Sequence, residues 1–158
     1  MTNEKTTFVY VTYIRATQQK IFDAITRPEI AARYWGHGNV SDWKVGSKWE
    51  HVRDNEEKKV NIAGDVIEID PPKRLVISWS DPSEYDNREA HSRVTFDLVP
   101  YEDMVRLTVT HAELEAGSGM ANGISRGWPL VLSSLKSYLE TDEPMDVFAE
   151  PCATDAAA

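Results

Sequence analysis

Four histidines, five tryptophans and a few strand arginines are the residues of this chain whose types and spacing could do chemistry. His51 stands two residues from Trp49, so on a strand the two share a face, while Glu50 points to the other. His91 and Arg93 share a face in the same way, and because Arg93 alternates with Val94 and Phe96 its structural alternative is the solvent-facing outer side of the sheet. An imidazole in an apolar pocket can accept, donate or move a proton, and a pocket arginine can hold a carboxylate through two parallel hydrogen bonds. Trp35, Trp49, Trp79 and Trp128 each offer a broad apolar surface with one N–H donor, a mixture suited to lining a small-molecule pocket. Leu132 follows Trp128 by one helical turn and joins them. Core filling is the structural alternative for every one of these rings. Trp43 suits a loop anchor equally well, and His37 and His111 read as an exposed loop and an exposed strand end.

Other chemistries lack their signatures. No histidine pair has the i, i+4 spacing of a helical zinc motif, and no cysteine stands by to complete a metal site, so neither a metal nor a cofactor is expected. There is no Gly-x-Ser-x-Gly elbow and no glycine-rich phosphate loop. Asp65 and Glu68 fall on opposite faces of their strand and do not form the close carboxylate pair of glycoside chemistry. No catalytic residue is assigned. An enzyme would have to draw acid–base groups from His51, His91 or Tyr13.

These residues must be positioned by a mostly β chain. Phe8 to Ile14 alternates and is rich in β-branched and aromatic residues, which predicts a strand. Thr17 caps a helix whose Ile21, Phe22 and Ile25 share one face, and Pro28 opens a second short helix that stops at Gly36. Trp35 to Val45 reads as a loop because of its glycines. Five strands follow, over Ser47 to Arg53, Lys58 to Ile69, Arg74 to Ser80, Ala90 to Val99 and Met104 to His111. Their short connections predict an antiparallel meander. From Ser118 to Glu140 the apolar spacing predicts one long amphipathic helix, with a kink or a division at Pro129 and with Ser133, Ser134 and Lys136 on its polar face.

At 158 residues the chain suits one domain, with 41% hydrophobic and 27% charged residues placing it among soluble globular proteins. The domain is expected over residues 1–141, followed by an acidic, alanine-rich, disordered tail over 142–158. A net charge of −9 argues against nucleic acid or an anionic membrane as partner. A single cysteine, Cys152, excludes an internal disulfide, and no apolar run approaches the roughly 20 residues that span a bilayer. With a polar start from Met1 to Thr7, these features predict a cytoplasmic protein, monomeric or homodimeric.

The order strand, two short helices, five strands, long helix is that of a helix-grip fold, and local words narrow it. Val11-x-Tyr13-Ile14-Arg15-Ala16 leading to Ile21-Phe22-Asp23-Ala24-Ile25, then Pro28 with Tyr34-Trp35 and the Val45-Gly46 turn, resemble the opening of the family related to the activator of the heat-shock-protein-90 ATPase. The strand from Ala63-Gly64 through Pro71-Pro72 to Leu75 is similar to that family's middle. Gly127-Trp128-Pro129 with Ser134-Leu135-Lys136 and Leu139-Glu140 resembles its closing helix, so the resemblance covers Thr6 to Thr141. The family lies within the START-like, birch-pollen-allergen-like superfamily. The resemblance implies an α+β fold in which a curved antiparallel sheet, six-stranded on this reading, wraps a long C-terminal helix around an apolar cavity. It does not imply one chemistry. The first functional expectation is a carrier of a small hydrophobic or amphipathic ligand. The alternative is a chaperone-accessory interaction module, and an enzyme using the cavity comes third.

Overall fold

A computed structural model describes residues 4–146. The first strand, β1 (Lys5–Ile14), leads into α1 (Gln18–Thr26) and α2 (Pro28–Trp35). Then come β2 (His37–Ser41), β3 (Lys48–Arg53), β4 (Val60–Asp70), β5 (Arg74–Trp79), β6 (Ser92–Tyr101) and β7 (Met104–Glu115), closed by α3 (Gly119–Thr141). The seven strands form one curved antiparallel sheet in the order β1-β7-β6-β5-β4-β3-β2. Only β1 leaves the meander, crossing over through the two short helices to pair with β7.

Local chemistry accounts for the elements. The Thr17 hydroxyl accepts from the Lys20 N–H at 3.1 Å and starts α1. Pro28 fills the first turn of α2, where its missing donor costs nothing, and Gly36 ends that helix in the left-handed region at φ 71°. The Tyr34 hydroxyl donates to the Ala24 carbonyl at 2.9 Å and binds α2 to α1. The pairing register shifts at Thr6/Phe8, His51/Val52 and Val66/Glu68, and bulges of this kind locally bend a strand and increase its twist.

The sheet has one strand more than the sequence predicts. The stretch read as a loop after Trp35 contains β2, which pairs with β3 from His37↔Arg53 to Ser41↔Trp49. Gly38 is a strand residue here because the chain passes against Pro28; an added Cβ would lie 2.8 Å from the proline Cβ. Of the two expectations at Pro129, the division into two helices is not met. The segment is a single helix through Pro129, with the Ser133 hydroxyl donating to the Pro129 carbonyl at 2.7 Å.

The core lies between the concave sheet face and α3. Ile124, Trp128, Val131, Leu132 and Leu135 are buried on the helix, against Leu75, Ile77, Val94, Phe96, Leu107 and Val109 of the sheet. The far end of α3 is tied to β1: Lys136 Nζ donates to the Tyr13 carbonyl at 2.6 Å, and Glu140 accepts from the Arg15 N–H at 2.7 Å. Ser134, expected on the polar face, is fully buried. Its hydroxyl exchanges hydrogen bonds with the Met145 backbone at 3.1 Å, so the residues just past α3 fold back on the helix. The rest of the segment expected to be a tail, from residue 147, lies outside the described residues.

A tryptophan and histidine cleft under the closing helix

β3 places Trp49 and His51 on the concave face, as the strand period requires. β5 ends at Trp79 on the same face, α2 ends at Trp35, and α3 contributes Trp128. These rings pack on one another. Trp128 lies 5.6 Å from Trp35 and 5.5 Å from Trp79 between ring centroids, and Trp49 lies 5.4 Å from Trp79. Such tilted contacts put ring edges against ring faces. The space between sheet and helix is therefore largely filled by indoles.

What remains is a cleft of about 290 Å³, open to solvent. Trp35, Ile62, Trp79, Ile124, Trp128 and Val131 form its apolar walls, with His37, His51, Arg53 and Asn61 as its polar side. Gly123 and Gly127, four residues apart on one face of α3, complete the lining, and a Cβ on either would meet nothing within 4 Å. Their i, i+4 spacing is the sequence signal that marks this open face of α3.

Three histidines face this interior, and two of them were expected at the surface. His111 is fully buried because β7 continues past it to Glu115, so it falls in the inward series Val105, Leu107, Val109. Trp128 Nε1–H donates to His111 Nδ1 at 3.0 Å, so the proton of the neutral ring is on Nε2. That N–H donates to the Ser92 hydroxyl at 2.7 Å, and Ser92 donates to the Trp79 carbonyl at 3.1 Å. This relay ties α3 to β5, β6 and β7. Burial pushes the His111 imidazole down to about 3.

His37 is buried too, and its ring stacks on that of His51, 4.2 Å apart and 6° from parallel. His37 Nδ1 contacts the Trp35 carbonyl and Nε2 the Asn61 side chain, each at 3.2 Å. His51 Nδ1 lies 2.7 Å from Asn39 Oδ1, and Asn39 Nδ2 donates to the Ile25 carbonyl at 2.8 Å. Burial lowers the pKa of both imidazoles; that of His51 falls well below the usual value, with His37 as a second cause. Burial also lowers His37, against the opposing help of its two hydrogen bonds.

The predicted site thus divides. Trp35, His51, Trp79 and Trp128 meet at the cleft. Trp49 and Leu132 are buried behind it, with Trp49 Nε1–H donating to the Ser78 carbonyl at 2.7 Å. That contact runs past Gly64, where any Cβ would fall 2.0 Å from the Ser78 oxygen. His91 and Arg93 lie on the opposite face, because Ser92, Val94 and Phe96 take the inward positions of β6. There His91 Nδ1 meets the Ser78 hydroxyl and Nε2–H donates to the Tyr85 carbonyl, both at 2.8 Å, while Arg93 is exposed. Tyr13, considered for acid–base work, also faces outward, against Tyr101 at 5.3 Å. Trp43 anchors its loop by donating to the Thr26 carbonyl at 2.9 Å. Among the described residues no group of His, Cys, Asp or Glu is placed to hold a metal ion, and no helix is long and apolar enough to cross a membrane.

Comparison with known proteins agrees with this architecture. Residues 15–140 match the family described as Activator of Hsp90 ATPase homolog 1-like protein. The fold is similar to that of an Aha1 dimer from Colwellia psychrerythraea, with TM-score 0.71 and 20% identity over 86% of this chain and 97% of that one. It is similar to an HSP90 activator from Plasmodium falciparum, with TM-score 0.69 and 22% identity over 85% and 96%. A crystal structure of CalU16 from Micromonospora echinospora also matches, with TM-score 0.66 and 21% identity over 86% and 77%. No curated protein matches the chain in sequence.

Proposed function

This chain belongs to the family of Activator of Hsp90 ATPase homolog 1-like proteins, and on that premise we propose that it binds a small hydrophobic or amphipathic molecule in the cleft under α3. The observation that carries the reading is the cleft wall itself: three indoles and two neutral imidazoles converge on one concavity, and two glycines of α3 keep side chains out of it. Apolar walls with a few fixed polar groups are the usual makeup of small-molecule sites. A volume of about 290 Å³ is at the small end of such sites, so the fitting ligand has one or two rings or a short chain. A cytoplasmic setting suits a carrier of this kind.

Native mass spectrometry of the freshly purified chain, beside denaturing spectrometry of the same sample, tests the reading. A reproducible extra mass that vanishes on denaturation is expected. The matching variant is Gly127→Leu. It replaces a helix-interior glycine, which by propensity alone gains roughly 0.5–1 kcal/mol, and it puts a side chain into the cleft. Its denaturation midpoint should hold while the extra mass disappears. A bare wild-type mass, or undiminished loading of a folded Gly127→Leu, counts against the cleft.

A second reading has its own observation. Val9 and Val11 are 54% and 47% exposed on the outer face of β1, an edge strand. Exposed apolar groups on a sheet edge suit a protein partner. Together with the family's description this favours a chaperone-accessory module, and a homodimer would use the same surface. Stimulation of a purified Hsp90-type ATPase that is lost on Val9→Lys with Val11→Lys would favour it over the carrier.

A further inference from the structure

The hydrogen bonds behind the cleft decide what kind of polar group a ligand must bring. The chain of hydrogen bonds begins at Ile25, whose backbone carbonyl can only accept. Asn39 therefore turns its amide nitrogen to that carbonyl, at 2.8 Å, and presents Oδ1 to His51. An amide oxygen can only accept as well, so His51 Nδ1 carries the proton that spans the 2.7 Å between them. A neutral imidazole has one N–H, and here it is spent. Nε2 is left as a bare lone pair with no partner among the described residues.

That lone pair is reachable. The two ring nitrogens of an imidazole point away from each other, so the inward contact with Asn39 turns Nε2 the other way. His51 is 4% exposed, and that small exposure is to the cleft it lines. Among the described residues the only fully enclosed side-chain nitrogen or oxygen without a partner is Trp79 Nε1, so His51 Nε2 is not sealed off. Burial keeps the imidazole neutral at physiological pH, and the stacked His37 ring opposes a second proton.

We infer that the cleft selects a flat molecule carrying a hydrogen-bond donor, a phenol or alcohol hydroxyl in the first place, which donates to His51 Nε2 while its apolar body lies against Trp35 and Trp128. The inference rests on the cleft reading above and narrows it. A carboxylate, an ether or a ketone offers only acceptors at that point and leaves the imidazole lone pair unanswered.

The test uses isothermal titration calorimetry on the full chain with three probes of one shape class: 2-naphthol, 2-methoxynaphthalene and naphthalene. Naphthol should bind about tenfold tighter than either of the others, which is the effect of one neutral hydrogen bond in a dry site. In His51→Phe, which keeps an aromatic ring and removes the lone pair, the three affinities should converge. Equal affinity of all three probes for the wild-type chain overturns the inference and leaves the cleft reading standing. A naphthol preference that survives His51→Phe also overturns it, because another group then reads the hydroxyl. Absence of binding by all three removes the cleft reading and this inference with it. The wild-type probe series needs no variant, so a poorly folding His51→Phe does not shield the proposal.

Discussion

His111 and His51 both hang from the concave face of the sheet, both lie against tryptophan, and both are held neutral by burial. They differ in their second nitrogen. His111 uses both: Trp128 donates to one, and the other donates to Ser92, whose hydroxyl goes on to the Trp79 carbonyl. His51 uses one, toward Asn39. The first chain of bonds closes on the protein's own backbone and fastens helix to sheet. The second starts on a backbone carbonyl and ends in the cleft with a lone pair to spare. A buried polar chain that is complete on its own holds the fold together, whereas one that stops short can be completed from outside.

The largest effect should come from breaking the closed chain. His111→Leu leaves the Trp128 N–H and the Ser92 hydroxyl group of a dry interior each short of a partner. Each such loss costs about 1–3 kcal/mol, so a total of about 2–6 kcal/mol is expected from urea denaturation. His51→Phe leaves only Asn39 Oδ1 short and should cost about half of that. Equal losses would mean that the two histidines are equivalent supports and would undo the distinction.

Acid should act next, and in one direction. His111 has a folded-state pKa of about 3 and an ordinary value near 6.5 once unfolded. Between those values the unfolded chain binds the extra proton, so stability is fullest above pH 6.5 and falls as pH drops toward 3. From His111 alone the loss by pH 5 is about 2 kcal/mol. His51 and His37 are shifted the same way and add to it. Denaturation midpoints at a series of pH values should therefore decline from pH 6.5 downward. In His111→Leu the decline should be shallower by about one proton. An unchanged slope would place the titration elsewhere.

Much of this arrangement was legible in the residues. The spacing of Trp49 and His51 put both on one strand face, and the helix stripe placed Trp128 and Leu132 inward. Thr17, Pro28 and Gly36 marked the ends of α1 and α2 because each solves a local backbone problem. The misplaced histidines show where such reading stops. His111 continues the Val105, Leu107, Val109 series by the same period of two, but the strand was expected to end there and not at Glu115. His91 and Arg93 alternate with Ser92, Val94 and Phe96, so the outward reading of Arg93 follows from the period of two, and the pocket role does not hold. His37 had no legible register, because His37-Gly38-Asn39 carries no apolar alternation. Its strand is made by pairing with β3 and by the close pass of Gly38 over Pro28, both tertiary facts. The Asn39 bond to His51 is likewise visible only once the strands are paired.

The smallest effect should separate two tryptophans that touch each other. Trp79 and Trp128 are 5.5 Å apart and almost equally buried, yet Trp128 donates to His111 and the Trp79 indole N–H has no partner among the described residues. An enclosed, unanswered donor is itself unfavourable by about 1–3 kcal/mol. Trp79→Phe removes that donor along with part of the ring. The lost packing and the relieved N–H act in opposite directions, so a net change within about 1 kcal/mol is expected. Trp128→Phe removes a similar part of the ring, but it also leaves His111 Nδ1 bare, and it should cost about 1–3 kcal/mol more than Trp79→Phe. Paired urea titrations measure the difference directly. If the two substitutions cost the same, the relay through His111 contributes nothing beyond packing, and the contrast between a closed and an open polar chain loses its energetic basis.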